Sequence, residues 1–217
     1  MSIKKNIIIT GGTDGIGLAI TKELSKNLDN NIIIIGNNMS KGTKIINDLK
    51  LNNLEFIKCD LSEKKEIYNL SQKLNKLDKI DVLLNNAGAI FSKRQINSDN
   101  IEKTFALNHL SYFHLSMYLL KNLEKSPNGK VINVASNAHK RYLLDLDDLE
   151  NKNNYSGWKS YCRSKLLNIY FTYNFNKKLN TKVTCNCLHP GFVNSNFGNN
   201  NVSIFRFAIN ILKNFLA

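Results

Sequence analysis

Ile7-Ile8-Ile9-Thr10-Gly11-Gly12-Thr13-Asp14-Gly15-Ile16-Gly17 is the stretch on which the reading of this chain turns. The isoleucines form a continuous β-branched run, so they read as a strand covered on both faces, as in a parallel sheet. Gly11, Gly15 and Gly17 follow as Gly-x-x-x-Gly-x-Gly, and Leu18, Ile20, Leu24 and Leu28 then recur at helical intervals. A strand, a glycine turn and a helix opening make the unit that holds the phosphates of a dinucleotide. Gly11 permits the tight turn, Gly15 lets the backbone approach a pyrophosphate, and Gly17 lets the helix pack close to the sheet. The spacing is not the usual Gly-x-Gly-x-x-Gly, so a purely structural glycine turn is the competing reading.

The same alternation continues outward. Buried strands are predicted at Ile32–Ile35, Leu54–Lys58, Val82–Leu84, Lys130–Ala135 and Val183–Leu188. Helices are predicted over Ser40–Leu51, through Ile67, Leu70, Leu74 and Leu77, over Asp99–Leu123 and over Tyr155–Leu179. Regular β-α alternation predicts an α/β fold with a doubly wound parallel sheet, and no linker or internal repeat interrupts it. Polar and glycine clusters fall just after the strands: Asp60-Leu61, Asn86-Ala87-Gly88, Ser136 and Pro190-Gly191. That edge of an open parallel sheet is where ligands bind.

Composition narrows the function classes. The chain has 217 residues, 42% of them hydrophobic, enough for one domain with a substantial core. Its formal charge is +13, but the lysines are dispersed and not interleaved with aromatics. They read as solvated surface, with no nucleic-acid partner. The four cysteines form no Cys-x-x-Cys pair and no histidine stands at zinc-finger spacing, so no metal site is expected. They read as reduced thiols. Met1 leads almost directly into a strand and no apolar run reaches about 18 residues, so neither a signal peptide nor a spanning helix is expected.

Tyr161 and Lys165 stand four residues apart, on one face of a predicted helix. A cation near a phenol lowers its pKa and suits it to exchange a proton with an alcohol or carbonyl oxygen. With the glycine turn, Asn86-Ala87-Gly88, Asn108 and Ser136, this pair makes the chain resemble the short-chain dehydrogenase/reductase family over about residues 7–193. Val131-Ile132-Asn133-Val134-Ala135-Ser136, Ser164-Lys165-Leu166-Leu167-Asn168 and Leu188-His189-Pro190-Gly191 are similar to its retinol-dehydrogenase-like branch.

The resemblance implies one Rossmann-type oxidoreductase domain over residues 1–217. Tyr161 would be the general acid/base and Ser136 would position the substrate oxygen. Lys165 would lower the tyrosine pKa and bind the nicotinamide ribose, and Asn108 would hold a water of a proton relay. Gly11, Thr13, Gly15, Ile16, Gly17, Asn37, Asp60, Leu61, Asn86, Ala87, Gly88, Pro190, Gly191 and Val193 would line the cofactor. The implied reaction is hydride transfer to or from an apolar alcohol, aldehyde or ketone. A catalytically weak dinucleotide-binding protein with a sensing or scaffolding role and a sugar-nucleotide epimerase or dehydratase are the other readings. Asp60 also reads as a plain helix cap. His139 and His189 read as structural or substrate-lining, His109 and His114 as parts of a helix.

Gly36-Asn37-Asn38 ends the second strand without the acid that favours NAD, and Asn37 stands where that branch usually has Arg. NADP is the expected cofactor, with NAD the alternative. The family continues beyond the Pro-Gly loop, so the C-terminus reads as short. Residues 202–216 are apolar and read as part of a substrate lid or as a surface able to lie on a membrane. The expected location is cytoplasmic, with association to a membrane through that segment.

Overall fold

The structure, a computed structural model, describes residues 4–179 and 182–191; Val193 and the apolar segment 202–216 lie outside the described residues. Six parallel strands form one sheet: β1 (Lys5–Thr10), β2 (Asn30–Gly36), β3 (Leu54–Lys58), β4 (Val82–Asn85), β5 (Lys130–Val134) and β6 (Thr184–Leu188). Their order is β3-β2-β1-β4-β5-β6. The chain winds one way from β1 to β3 and the other way from β4 to β6, which is the doubly wound arrangement expected. Direction reverses between β1 and β4, where an open sheet leaves a crevice at its C-terminal edge.

Alternation of side chains, with helices on both faces, explains the continuous apolar runs of β1, β2 and β4. Ile8, Ile33, Ile35, Leu83 and Val131 face one layer of helices and pack with Ile67, Leu70, Leu115, Leu119 and Phe175. Ile7, Ile9, Ile32, Ile34, Leu84 and Ile132 face the other and pack with Ile20 and Ile45. The first layer contains α3 (Lys64–Leu74), α5 (Ser111–Tyr118) and α7 (Gly157–Lys178); the second contains α1 (Gly15–Leu24) and α2 (Met39–Leu49).

Two helices differ from expectation. α1 stops at Leu24, and Leu28, counted in its periodicity, is 66% exposed. The single helix expected over 99–123 starts later and is broken. Asn97 Oδ1 accepts from the amides of Asp99 and Ile101, which holds a turn there. The buried Glu102 carboxylate then caps a short helix, α4 (Lys103–Phe105), through the amides of Thr104 and Phe105. A π-helical turn (Ala106–Leu110) follows, then α5, and after a break at Leu119 a short α6 (Leu120–Glu124). A π-turn shifts the bonding by one residue without disturbing the apolar pattern.

Candidate active site

The glycine turn is held to β4 by side chains the motif itself supplies. Thr10 Oγ1 donates to Leu84 O (3.3 Å) and accepts from the amides of Asn86 (2.8 Å) and Ala87 (3.0 Å). Asn86 Nδ2 donates to Thr10 O at 2.9 Å. Gly11 and Gly15 have φ of +65° and +51°, the left-handed region in which glycine is unstrained. Gly17 works differently from expectation. A Cβ there would overlap the Gly11 carbonyl oxygen and stand 2.7 Å from Asn86 Nδ2. Its smallness lets α1 close on the turn itself and on Asn86.

A cavity of about 860 Å³ opens over the C-terminal ends of the strands. Gly11, Thr13, Gly15, Ile16, Asn37, Asp60, Leu61, Asn86, Ala87, Gly88, Ser136, Tyr161, Lys165, Pro190 and Gly191 all line it. Three expected residues do not: Gly17 lies behind the turn, Asn108 lies behind Gly88, and Val193 is outside the described residues. Asp60 combines both of its readings. It lines the cavity, while its Oδ1 accepts from the amide (2.9 Å) and hydroxyl (2.7 Å) of Ser62. It does not cap α3, whose cap position is Glu63. Glu66, in the first turn of α3, accepts from the Asp60 amide at 2.7 Å.

At the inner end of the cavity Ser136 and Tyr161 stand together, and the Ser136 hydroxyl draws the pKa of the phenol down. Ser136 stands directly after β5 and also accepts from the Ala138 amide (3.2 Å), which caps the short 3-10 turn Asn137–Lys140. Tyr161 comes from the second turn of α7, and Trp158, one turn earlier on the same face, stacks on its ring (centroids 5.7 Å apart, 22° between planes).

Lys165 is 3% exposed. Its ammonium donates to Val134 O (2.9 Å) and lies 5.7 Å from the centre of the Tyr161 ring and 5.4 Å from that of Tyr112. Tyr112, fully buried, donates its hydroxyl to Ala87 O at 2.9 Å. Gly88 packs closely against both groups; a Cβ there would sit 3.5 Å from Lys165 Nζ and 3.2 Å from Asn108 Oδ1.

The electrostatics correct one expectation. Burial raises the Tyr161 pKa above its ordinary value of 10.0, and the group that pulls it back is the Ser136 hydroxyl, not Lys165. Burial acts on Lys165 as well, bringing its ammonium down to about 8. The phenol of this structure is therefore protonated at neutral pH.

Asn108 sits in the π-turn and acts as a clamp. Its Oδ1 accepts from Ala89 N (2.9 Å), and its Nδ2 donates to Ala89 O (2.9 Å) and Ser164 Oγ (3.2 Å). Asn168 Nδ2 donates to the Asn108 carbonyl at 2.8 Å, and Asn168 Oδ1 meets His109 Nδ1 at 2.9 Å. These bonds tie the loop after β4 to α7, and thereby set the height of Gly88 against Lys165. His109 is part of this support, as its helix reading implied. His139 Nδ1 lies 2.7 Å from Ser136 O, and His189 Nδ1 accepts from Asn137 N at 3.3 Å while its ring lines the cavity.

Sequence reasoning missed Trp158, Arg141 and Lys41, all of which line the cavity, and Tyr112 beneath it. Trp158 carried a usable signal, since i and i+3 share a helix face. Arg141 and Tyr112 reach the site only through the tertiary fold. All four cysteines are free; Cys59, Cys162 and Cys185 are buried, and burial pushes the thiols of Cys59 and Cys185 up to about 12, so they are inert packing groups. Among the described residues no cluster of His, Cys, Asp and Glu is arranged to hold a metal, and no helix is long and apolar enough to cross a membrane.

Comparison with known proteins bears on the family and the fold. The model of the short chain dehydrogenase family matches residues 5–203. Human polyprenol dehydrogenase is 37% identical over 201 residues, covering 87% of this chain and 60% of that protein. Human retinol dehydrogenase 13 is 32% identical over 201 residues, covering 89% of this chain and 60% of that protein. The chain thus spans about 60% of the length of these curated relatives. Among solved structures, an uncharacterised protein from Mycobacterium paratuberculosis superposes with a TM-score of 0.81 at 25% identity, covering 94% of this chain and 73% of that one. Actinorhodin polyketide ketoreductase, crystallised with NADPH, gives 0.78 at 18% identity, covering 100% of this chain and 92% of that one, and shares the fold.

Proposed function

We infer the function from the family to which the chain belongs, the short-chain dehydrogenases, and from the chemistry of its cavity. The proposed activity is NADP(H)-dependent oxidoreduction of an apolar alcohol, aldehyde or ketone. The observation that carries it is the convergence of Ser136, Tyr161 and the buried Lys165 ammonium, 5.7 Å from the Tyr161 ring, at the inner end of a dinucleotide-sized cavity. The glycine turn fits such a cofactor: Gly11 and Gly15 line the cavity with the positive φ that lets the backbone turn tightly and approach phosphates. When bound, the nicotinamide supplies or takes the hydride.

The remaining work falls to the chain's own residues. A carbonyl oxygen placed against Ser136 Oγ and Tyr161 Oη receives two hydrogen bonds. The raised phenol pKa keeps a proton on Tyr161 until negative charge develops on that oxygen. Lys165 then stabilises the tyrosinate that remains, and it lines the cavity beside Gly88, where ribose hydroxyls would lie. Asn108 keeps the loop at Gly88 in register with α7 through Ala89 and Ser164. The exposed ring of Trp158, with Ile90 and Leu107, gives the mouth an apolar lining suited to a retinoid-, steroid- or polyprenol-like chain. The related dehydrogenases of retinol and polyprenol support that substrate class.

The test is NADPH oxidation with a panel of aldehydes and ketones, run with Tyr161→Phe alongside. Loss of proton transfer lowers kcat by roughly 10²–10⁴-fold, while NADPH affinity measured by fluorescence stays within about threefold, because the phenol hydroxyl is a single contact. Wild-type protein that binds NADPH but turns nothing over, or activity that survives the substitution, refutes the reading. The former result favours a dinucleotide-binding protein without catalysis.

A further inference from the structure

The wall of the cavity beyond Tyr161 carries a charge that proton transfer does not use. Arg141 lines it, together with Ser136, Asn137, Trp158 and His189. Arg141 closes the short turn that begins at Ser136, and backbone bonds fix its place. Ser136 O accepts from the His139 amide at 3.1 Å, and Ala138 O accepts from the Arg141 amide at 3.0 Å. A 3-10 turn advances about 2 Å per residue, so Arg141 stands roughly 10 Å from Ser136. Burial raises the Cys162 thiol, and the Arg141 charge is one of two influences that lower it; the Tyr161 phenol answers to burial, Ser136 and Cys162 instead. Arg141 therefore faces a part of the substrate several bonds away from the reacting oxygen. Among the described residues no carboxylate forms an ion pair with it. The acids lining the cavity, Asp14 and Asp60, follow β1 and β3, whereas Arg141 follows β5. β3 and β5 are four strands apart in the sheet, about 19 Å. Acids of the adjoining segment are held elsewhere: Asp145 lies 3.8 Å from Arg163, Glu150 lies 3.5 Å from Arg94 and from Lys152, and Asp148 accepts from the amides of Lys152 and Asn153. Residues 151–217 contain no aspartate or glutamate. The other cation at this end, Lys165, is buried and donates to Val134 O.

We propose that Arg141 is a specificity-determining residue for a carboxylate at the far end of the substrate. The preferred substrates are then amphipathic, with a carbonyl or alcohol at one end, an apolar chain, and a carboxylate at the other. The inference rests on the oxidoreductase reading above and narrows its substrate class. The apolar stretch of such a molecule lies against Trp158, Ile90 and Leu107, which line the cavity between the two polar ends. A guanidinium presents paired N–H donors that match a carboxylate, and the bonds are charge-assisted. Arg141 is exposed, so solvent screens the pair and the preference is moderate. The contact is remote from the reacting carbon and is made equally in the ground state and the transition state. It therefore acts on KM and leaves kcat alone.

The probes are azelaic semialdehyde, an aldehyde with a carboxylate at its other end, and its methyl ester, which has nearly the same shape without the charge. kcat and KM for both are measured with NADPH on the full chain. Wild type shows a kcat/KM roughly five- to tenfold higher for the acid, carried by KM, as expected of one charge-assisted contact at a partly screened site. Arg141→Met brings that ratio to about one. Arg141→Lys keeps part of it, because the charge stays and the planar fork is lost. Raising the ionic strength to about 1 M shrinks the wild-type ratio, since the screening length falls to about 3 Å. A wild-type ratio near one, a ratio that Arg141→Met leaves unchanged, or no turnover of the acid by protein that reduces neutral aldehydes overturns the inference while the oxidoreductase reading stands. If the wild type reduces no aldehyde or ketone at all, the inference and the proposed function fall together.

Discussion

Replacing Lys165 by Met should make the protein more stable and inactive at once. Its ammonium is buried, and burial lowers its pKa from 10.5 to about 8. At roughly 1.36 kcal/mol per pKa unit, that depression corresponds to about 3 kcal/mol by which folding disfavours the charged form. Met has a similar length and needs no solvation, so it relieves this term. The substitution also strips Val134 O of its donor, a loss of about 1 kcal/mol. The net expectation at pH 7 is a gain of about 2 kcal/mol.

The pH dependence gives the sharper check. Below about 8 the lysine is charged in both the folded and unfolded chains, and the full penalty applies. Between about 8 and 10.5 the unfolded chain binds more protons than the folded one, so wild-type stability rises with pH relative to the variant. Above 10.5 the lysine is neutral in both states, the penalty is gone, and the wild type keeps the Val134 hydrogen bond. The advantage of Lys165→Met therefore shrinks through this window and reverses by about 1 kcal/mol. Urea denaturation of both proteins at pH 7, 8, 9 and 10 measures it, and other titrating groups cancel in the difference. A variant less stable than wild type at pH 7, or a difference that stays constant with pH, refutes the account of Lys165 as a destabilising, desolvated cation. A gain in stability with loss of activity would mark a functional group held at the expense of the fold.

Gly17→Ala should destabilise the chain by about 1–3 kcal/mol, as overpacking does, because the new methyl meets backbone at Gly11 rather than a movable side chain; urea midpoints and NADPH affinity should fall together. Arg163→Met should loosen one loop while leaving the sheet intact. The buried guanidinium donates to Leu143 O (2.9 Å), Asp148 O (3.1 Å) and Asn151 Oδ1 (2.7 Å), so it ties down segment 143–151, which has neither helix nor strand. Limited proteolysis within that segment should accelerate by roughly tenfold or more, as expected when about 1–3 kcal/mol of local hydrogen bonding is removed. An unchanged cleavage rate would show that the loop is held by other means.

The architecture was legible in the sequence because β1, β2 and β4 are short apolar runs between polar punctuation, and α2 and α3 carry apolar stripes. Thr10-Gly11 through Gly17, Asn86-Ala87-Gly88, Ser136, Tyr161 and Lys165 were legible for a second reason. Turns that need positive φ or close backbone approach, and proton-transfer groups on one helix face, restrict residue type at fixed spacing. Those constraints are local, and local constraints leave marks in sequence.

What the tertiary structure alone decided is less local. It broke the helix carrying Asn108 with a π-turn that periodicity does not register. It placed Lys41 against Asp14, 27 residues earlier, at the edge where an arginine was sought and not found. It also reversed the expected balance at the site. Four residues of helix put an ammonium near a phenol, and spacing alone predicts a lowered phenol pKa. Packing buried both groups and turned the ammonium toward Val134, so desolvation outweighs attraction: Tyr161 is raised and Lys165 is lowered. Spacing along a helix sets which groups can meet; the water excluded around them, a property of the whole fold, sets which charge each one carries.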